Sequence, residues 1–319
     1  MASQVPFRSA RGLATVAVLA ILAGGCSVAS SPGPTAGGSP GPGESPVPSA
    51  SPGPATSPTS SGSAAGTTLI LRVTTEGGFV GPTANLAALP EVSVYADGRI
   101  LTPGPVDSID PPPLLPSVTV RDVGAAGEAR IVAAIRAAGL DRPAASGTGG
   151  GIAGDTGTTV FAVDLDGTPV TSRLVLGGGG PPGRPGLGSP DPGVTAAADL
   201  LARLEDPNEA WGASSATTSS LQPTAYRLYV APGAPSGDGS TAAPALAWPL
   251  ATPLGAFGVP AVPDRGIAGL RQGSVLGADA ATLGPILATA TSQTAFSSGG
   301  TLYTLYVRPL LPDEVPAAG

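Results

Sequence analysis

Apolar residues fall into distinct regimes along this chain. An apolar stretch occupies 13–23, and the stretch 27–66 is almost wholly Ser, Pro, Gly, Ala and Thr. From Thr67 onward apolar positions alternate or recur with helical spacing. Leu69-Ile70-Leu71-Arg72-Val73 is mostly apolar and predicts a central strand. Val92-Ser93-Val94-Tyr95-Ala96 alternates, meets Asp97-Gly98, the strongest short hairpin signal, and returns as Arg99-Ile100-Leu101. The Pro-rich segment 111–116 predicts a rigid crossing, and Ser117-Val118-Thr119-Val120 another short strand. Ile131, Val132 and Ile135 share one face of a predicted helix over 125–138, stopped by Gly139. Strands over 160–164 and 170–176 then flank Asp166-Gly167 as a second hairpin.

A second helix is predicted over 194–204, with Leu200, Leu201 and Leu204 as its apolar stripe. Strands follow over 225–230 and 301–307. Between them a third helix runs to about residue 290, with Asp279 as its expected N-cap and Pro285 as an expected bend. Gly-rich stretches over 144–157, 177–193 and 232–244 read as surface loops. Val123-Gly124 to Gly139, a Gly-rich loop and Val160-Phe161-Ala162-Val163 are echoed by Leu276-Gly277 to Ala290 followed by the last strand. The expected fold is therefore α+β, a mostly antiparallel sheet with about three helices in one globular region, 67–319. The echo marks a candidate division into similar halves, 67–190 and 191–319.

Cys26 is the single cysteine among 319 residues. Ahead of it stand Arg8 and Arg11, the apolar run of about 11 residues, and Ala23-Gly24-Gly25, which are the three parts of a secretory signal. That run is too short to span a bilayer, which needs roughly 20 residues. A lone thiol in an oxidising compartment would be a reactive liability. The ending resembles the lipobox of bacterial lipoproteins, although Ala23 stands where that family favours Leu and Leu22 lies one residue further back. The resemblance implies a signal peptide over 1–25 and a diacylglycerol on Cys26, so that the membrane is a partner through lipid and the chain is held on the extracytoplasmic face. Each buried methylene contributes roughly 0.8 kcal/mol, so two or more acyl chains on one residue give a stable anchor. The segment 26–66 is then a linker too poor in apolar residues to offset its ordering entropy. At about 3.1 Å per residue in polyproline II it reaches about 120 Å at most.

Composition removes most catalytic chemistry. There is no histidine, and all 15 basic residues are arginine. Without His there is no Ser-His-Asp arrangement and no imidazole ligand for zinc. Without Lys there is no Schiff base and no phosphate-loop lysine. The same bias would follow from a GC-rich genome, and the exclusions hold whatever its cause. The net charge of −7 argues against nucleic-acid binding, which rests on cationic neutralisation of phosphates. A core without disulfides is feasible with 41% hydrophobic residues.

What survives is carboxylate chemistry, but Asp97, Asp164 and Asp166 sit at hairpin tips, where aspartate satisfies turn amides. Asp164-Leu165-Asp166-Gly167 lacks the further ligands of a calcium loop. The four glycines from Gly177 to Gly180 lack the lysine and helix start of a phosphate loop. No cofactor and no metal are expected. Trp248 reads as a core anchor.

The mature region is similar in overall pattern to secreted lipoproteins of high-GC bacteria, through Gly77-Gly78-Phe79, Tyr95-Ala96-Asp97-Gly98-Arg99 and the terminal Tyr303-Thr304-Leu305-Tyr306-Val307-Arg308-Pro309-Leu310-Leu311-Pro312-Asp313-Glu314. That likeness implies no activity. Leu71-Arg72-Val73-Thr74-Thr75-Glu76-Gly77-Gly78-Phe79 resembles the first strand and Gly-Gly-Phe turn of emfourin-type inhibitors of thermolysin-like metallopeptidases, which are small α+β proteins. The resemblance implies that Gly77, Gly78 and Phe79 form a recognition turn. The plainer expectation is a strand bulge that turns Phe79 under the helix over 125–138. The expected function is a non-enzymatic binding or structural module whose ligand is an extracytoplasmic protein or glycan. The alternatives are an inhibitor of extracellular metallopeptidases and a carboxylate-based cell-envelope hydrolase.

Overall fold

The computed structural model describes residues 68–78, 81, 83, 85–106, 108–143, 157–176, 191–212, 216–235, 244–261 and 266–316. The signal, the linker and Cys26 lie outside the described residues, as does Phe79. The fold is α+β, built on two mostly antiparallel sheets and three helices.

The first sheet contains β1 (Leu69–Glu76), β2 (Val92–Tyr95), β3 (Arg99–Pro103), β4 (Val118–Asp122), β5 (Thr158–Leu165), β6 (Thr168–Leu174) and β7 (Thr217–Ser220). Its order is β6-β5-β1-β2-β3-β4-β7. The apolar β1 is thus flanked on both sides, as its near-continuous hydrophobicity predicts. Both expected hairpins form, at Asp97-Gly98 and Asp166-Gly167.

The second sheet contains β8 (Tyr226–Pro232), β9 (Leu246–Ala247), β10 (Val259–Pro260), β11 (Arg271–Val275), β12 (Ala295–Ser298) and β13 (Thr301–Pro309). Its order is β10-β11-β8-β13-β12-β9, with β9 and β12 parallel.

Helices α1 (Gly124–Ala137) and α2 (Pro192–Glu205) cover one face of the first sheet. Leu71, Val73, Val94 and Phe161 pack there against Ile131, Ile135, Leu200 and Leu204. A bulge between Leu69 and Leu71 lets Ile70 and Leu71 both enter this core, against the simple alternation of a strand. Helix α3 (Gly277–Thr289) covers one face of the second sheet, with Leu283 and Leu287 against Leu228, Val230, Phe296 and Val307.

One expectation needs correction at α3. It starts at Gly277, not at Asp279, because Leu276 remains extended and Gly277 takes a left-handed φ of 56° to turn into the first helical turn. Asp279 instead lies within that turn, where its carboxylate complements the helix dipole. Helix α1 opens with the same device, Val123 and then Gly124 at φ 62°. Around the two helices the strand order differs: β5 follows α1 and lies beside β1, whereas β13, not β12, lies beside β8. The change from one sheet to the other falls between Ser220 and Tyr226, because α2 and β7 both belong with the first sheet.

The second faces of the two sheets are closed by segments exchanged between them. Leu86, from the β1–β2 connection, packs with Ala231, Ala261 and Leu270 of the second sheet's region. Leu311, just past β13, packs with Tyr95, Leu101 and Val118 of the first sheet. The Pro-rich crossing adds a further brace. Leu114 enters the core under α3, and its N–H donates to the Ala290 carbonyl at 2.9 Å. Such reciprocal bracing predicts one cooperative transition. Leu311→Ala is expected to lower stability by about 2 kcal/mol and to shift a single calorimetric peak; two separated peaks would show that the sheets unfold independently.

Candidate functional site

β1 is longer than its neighbour β2, and this mismatch opens a cleft. The β1–β2 register ends at Val73 opposite Val92, while Thr74, Thr75 and Glu76 continue along β5 alone. The chain then leaves through Gly77 and Gly78, both exposed and both left-handed at φ 75° and 81°. It returns along Asn85, Ala88, Leu89 and Pro90, which form the facing wall. Arg72 of β1, Arg308 of β13 and Glu314 complete a cleft of about 480 Å³.

Its charged base ties the C-terminal segment to the first sheet. Arg72 Nη2 donates to both carboxylate oxygens of Asp313, at 2.8 and 3.0 Å. The fully buried Tyr95 donates its hydroxyl proton to Asp313 Oδ1 at 2.7 Å. Arg308 grips Glu314 with two parallel bonds of 2.6 and 2.9 Å, the fork geometry that makes such pairs strong. The Leu311 N–H adds a third bond to Glu314 at 2.9 Å. On the rim, Glu76 pairs with Arg173 at 2.9 Å, and the Thr75 hydroxyl donates to Glu91. Two buried polar atoms have no hydrogen-bond partner here: Arg72 Nε and, directly opposite in the register, Ser93 Oγ.

Burial pushes the Tyr95 hydroxyl far above its ordinary pKa, and the Asp313 hydrogen bond and charge push the same way. Burial alone would raise the Glu314 carboxyl. The Arg308 hydrogen bonds, the Leu311 amide and the charges of Arg308 and Arg72 outweigh it and hold the group below the usual range. A carboxyl depressed in the folded state contributes stability above its unfolded pKa of about 4.3, and that contribution is lost as pH falls through the folded value. Urea midpoints should therefore drop on acidification below about pH 4. Glu314→Gln should flatten that decline; an unchanged acid limb would refute the assignment.

The other residues singled out in the sequence are scattered. Asp97 bonds Arg99 at 2.6 Å across its own hairpin, and Asp166 pairs with Arg136 at 3.3 Å on another. Glu205, at the exposed end of α2, has its carboxyl raised by partial burial and then by the charge of Glu91, but it does not line the cleft. Trp248 is half-buried, edge-on to Phe257 and Phe296, and its indole N–H donates to the Thr252 carbonyl at 2.9 Å. The fully buried tryptophan is Trp211, with Arg203 stacked 4.1 Å from its ring. Of the expected recognition turn, Gly77 lines the cleft and Gly78 is exposed beside it. Sequence reasoning missed Arg72, Arg308, Asp313 and Glu314 as a group. Its one trace was acidic residues closely following an arginine-bearing terminal strand.

Among the described residues no group of three or more His, Cys, Asp or Glu could hold a metal ion, and no helix is long and apolar enough to cross a membrane. Comparison with protein-family models, curated proteins and solved structures finds no match to this chain.

Proposed function

We propose that this chain is a non-enzymatic binding or structural module held at the extracytoplasmic face of a membrane by lipid on Cys26. The observation that carries the binding reading is the cleft at the end of β1. Its four charged lining residues, Arg72, Glu76, Arg308 and Glu314, are all already in ion pairs. Carboxylates held by arginine are poor proton shuttles, so the cleft is equipped to hold a ligand and not to cleave one.

The anchor is tested by labelled fatty acid, which should enter the wild type and be absent from Cys26→Ser. Equal labelling of both would overturn it. The binding reading is tested with soluble cell-wall glycan fragments and the purified chain: turnover to smaller products, lost in Glu205→Gln, would replace it with the hydrolase alternative.

The exposed Gly77-Gly78 turn on the rim of the cleft favours a second reading, inhibition of an extracellular metallopeptidase. Wild-type chain that leaves a thermolysin-like enzyme fully active would remove that reading and leave the first.

A further inference from the structure

We infer that the cleft takes an extended, uncharged polypeptide segment that pairs through its main chain with Thr75; this rests on the reading of the chain as a binding module. From Leu71 to Val73, β1 is paired on both sides. The last bond on the β2 side runs from the Glu91 N–H to the Val73 carbonyl at 2.9 Å. Beyond it, Thr74, Thr75 and Glu76 face only Val160, Thr159 and Thr158 of β5. Successive residues of an antiparallel strand turn their N–H and C=O groups to opposite neighbours. Thr75, two residues on from Val73, therefore turns both groups toward the side that β2 has left. Among the described residues no main-chain group outside the strand ladders bonds Thr75 there. Thr74, Thr75, Glu76 and Gly77 all line the cleft, so this free edge opens into it. An open strand edge is a template for another strand.

The lining selects the chemistry. With its charges already paired, the cleft offers a ligand charge of either sign no free counter-charge, while desolvating it. Asn85 supplies an amide on the facing wall, and Ala88, Leu89 and Pro90 supply apolar surface for side chains. No aromatic ring lines the cleft among the described residues, and sugar rings generally pack their apolar faces on such rings. A peptide backbone fits this lining better than a glycan does.

The test titrates the full-length lipidated chain in detergent with blocked hexapeptides of Val, Thr and Ser, and in parallel with soluble cell-wall glycan fragments. Each peptide is also made N-methylated at one position at a time. N-methylation is expected to weaken binding about tenfold at one position, the residue paired with Thr75, and to be tolerated at its two neighbours, whose N–H groups point away. Thr75→Pro removes the cleft-facing N–H without touching a β5 ladder bond and should weaken binding about tenfold, while Thr75→Val should stay within about twofold of wild type. Uniform tolerance of N-methylation, or unchanged binding by folded Thr75→Pro, would overturn the inference. If Thr75→Pro fails to fold, the methylation scan decides on the unaltered protein. Glycan binding without peptide binding would overturn the peptide and leave the binding module standing; binding of neither would overturn both.

Discussion

Arg121→Ala is expected to lower the unfolding free energy by about 3 kcal/mol, read as a shift of the urea midpoint. Arg121 is 4% exposed, yet its side chain carries a cation. Its guanidinium donates to the Leu204 carbonyl at 2.6 Å, in the last turn of α2, and to the carbonyl of the capping residue Asp206. The Leu204 carbonyl has no intrahelical partner and belongs to the negative end of the helix dipole, whereas the Asp206 carbonyl also accepts from the Glu209 N–H at 3.2 Å. Burial lowers the Arg121 pKa, and the charges of Asp206 and Glu209 counter that effect. Truncation would leave the Leu204 carbonyl unanswered under a packed helix end, at about 1–3 kcal/mol, and would take from the Asp206 carbonyl one of its two donors. Arg121→Lys keeps the charge but cannot span both carbonyls, so it should recover about half of the loss. A change below about 1 kcal/mol for Arg121→Ala would show that water replaces the cap.

Asp313→Ala is expected to cost about 3 kcal/mol, because one carboxylate serves both the partly buried Arg72 and the fully buried Tyr95. Arg72 would lose the counter-charge 2.8 Å away, and the Tyr95 hydroxyl its acceptor at 2.7 Å. Asp313→Asn can still accept from Tyr95 but leaves Arg72 only the longer pair with Glu314 at 3.7 Å, so it should fall between wild type and Ala. Spectrophotometric titration supplies an independent readout. The Tyr95 phenol should ionise more easily in Asp313→Ala, yet remain above an ordinary tyrosine, since burial is the first cause of its elevation. Unchanged ionisation would place Tyr95 outside the network.

Elements with their own hydrophobic rhythm were legible in the sequence: β1, both hairpins, the three helices and β13. The strands that escaped are those whose partners make them. All four residues of β7 are exposed, Thr217-Thr218-Ser219-Ser220, and it is a strand only because it completes a ladder with β4. β11 is mostly polar, Arg271-Gln272-Gly273-Ser274, and is set between β8 and β10. The site was hidden for a related reason. Arg72 and Asp313 are 241 positions apart in sequence, and no local periodicity links residues at such a distance. Arg72 reads simply as the polar position in a central strand. Its partial burial, and its pairing with a carboxylate, arise only when the segment after β13 folds back over the first sheet.

The placement of β1 has a mechanical consequence. The linker joins this strand at its Leu69 end, and the cleft opens at its Glu76 end, about 25 Å away for 8 extended residues. If the proposed lipid anchor and the proposed ligand were both engaged, tension between them would run along the strand axis. The ladders to β2 and β5 lie across that axis. Their hydrogen bonds would be loaded together in shear, not opened one after another from an end. A domain threaded in this way should resist pulling between residue 69 and the cleft better than pulling through β7, whose four-residue edge ladder can peel away. The strand that frames the cleft is thus also the one through which such a load would enter the fold.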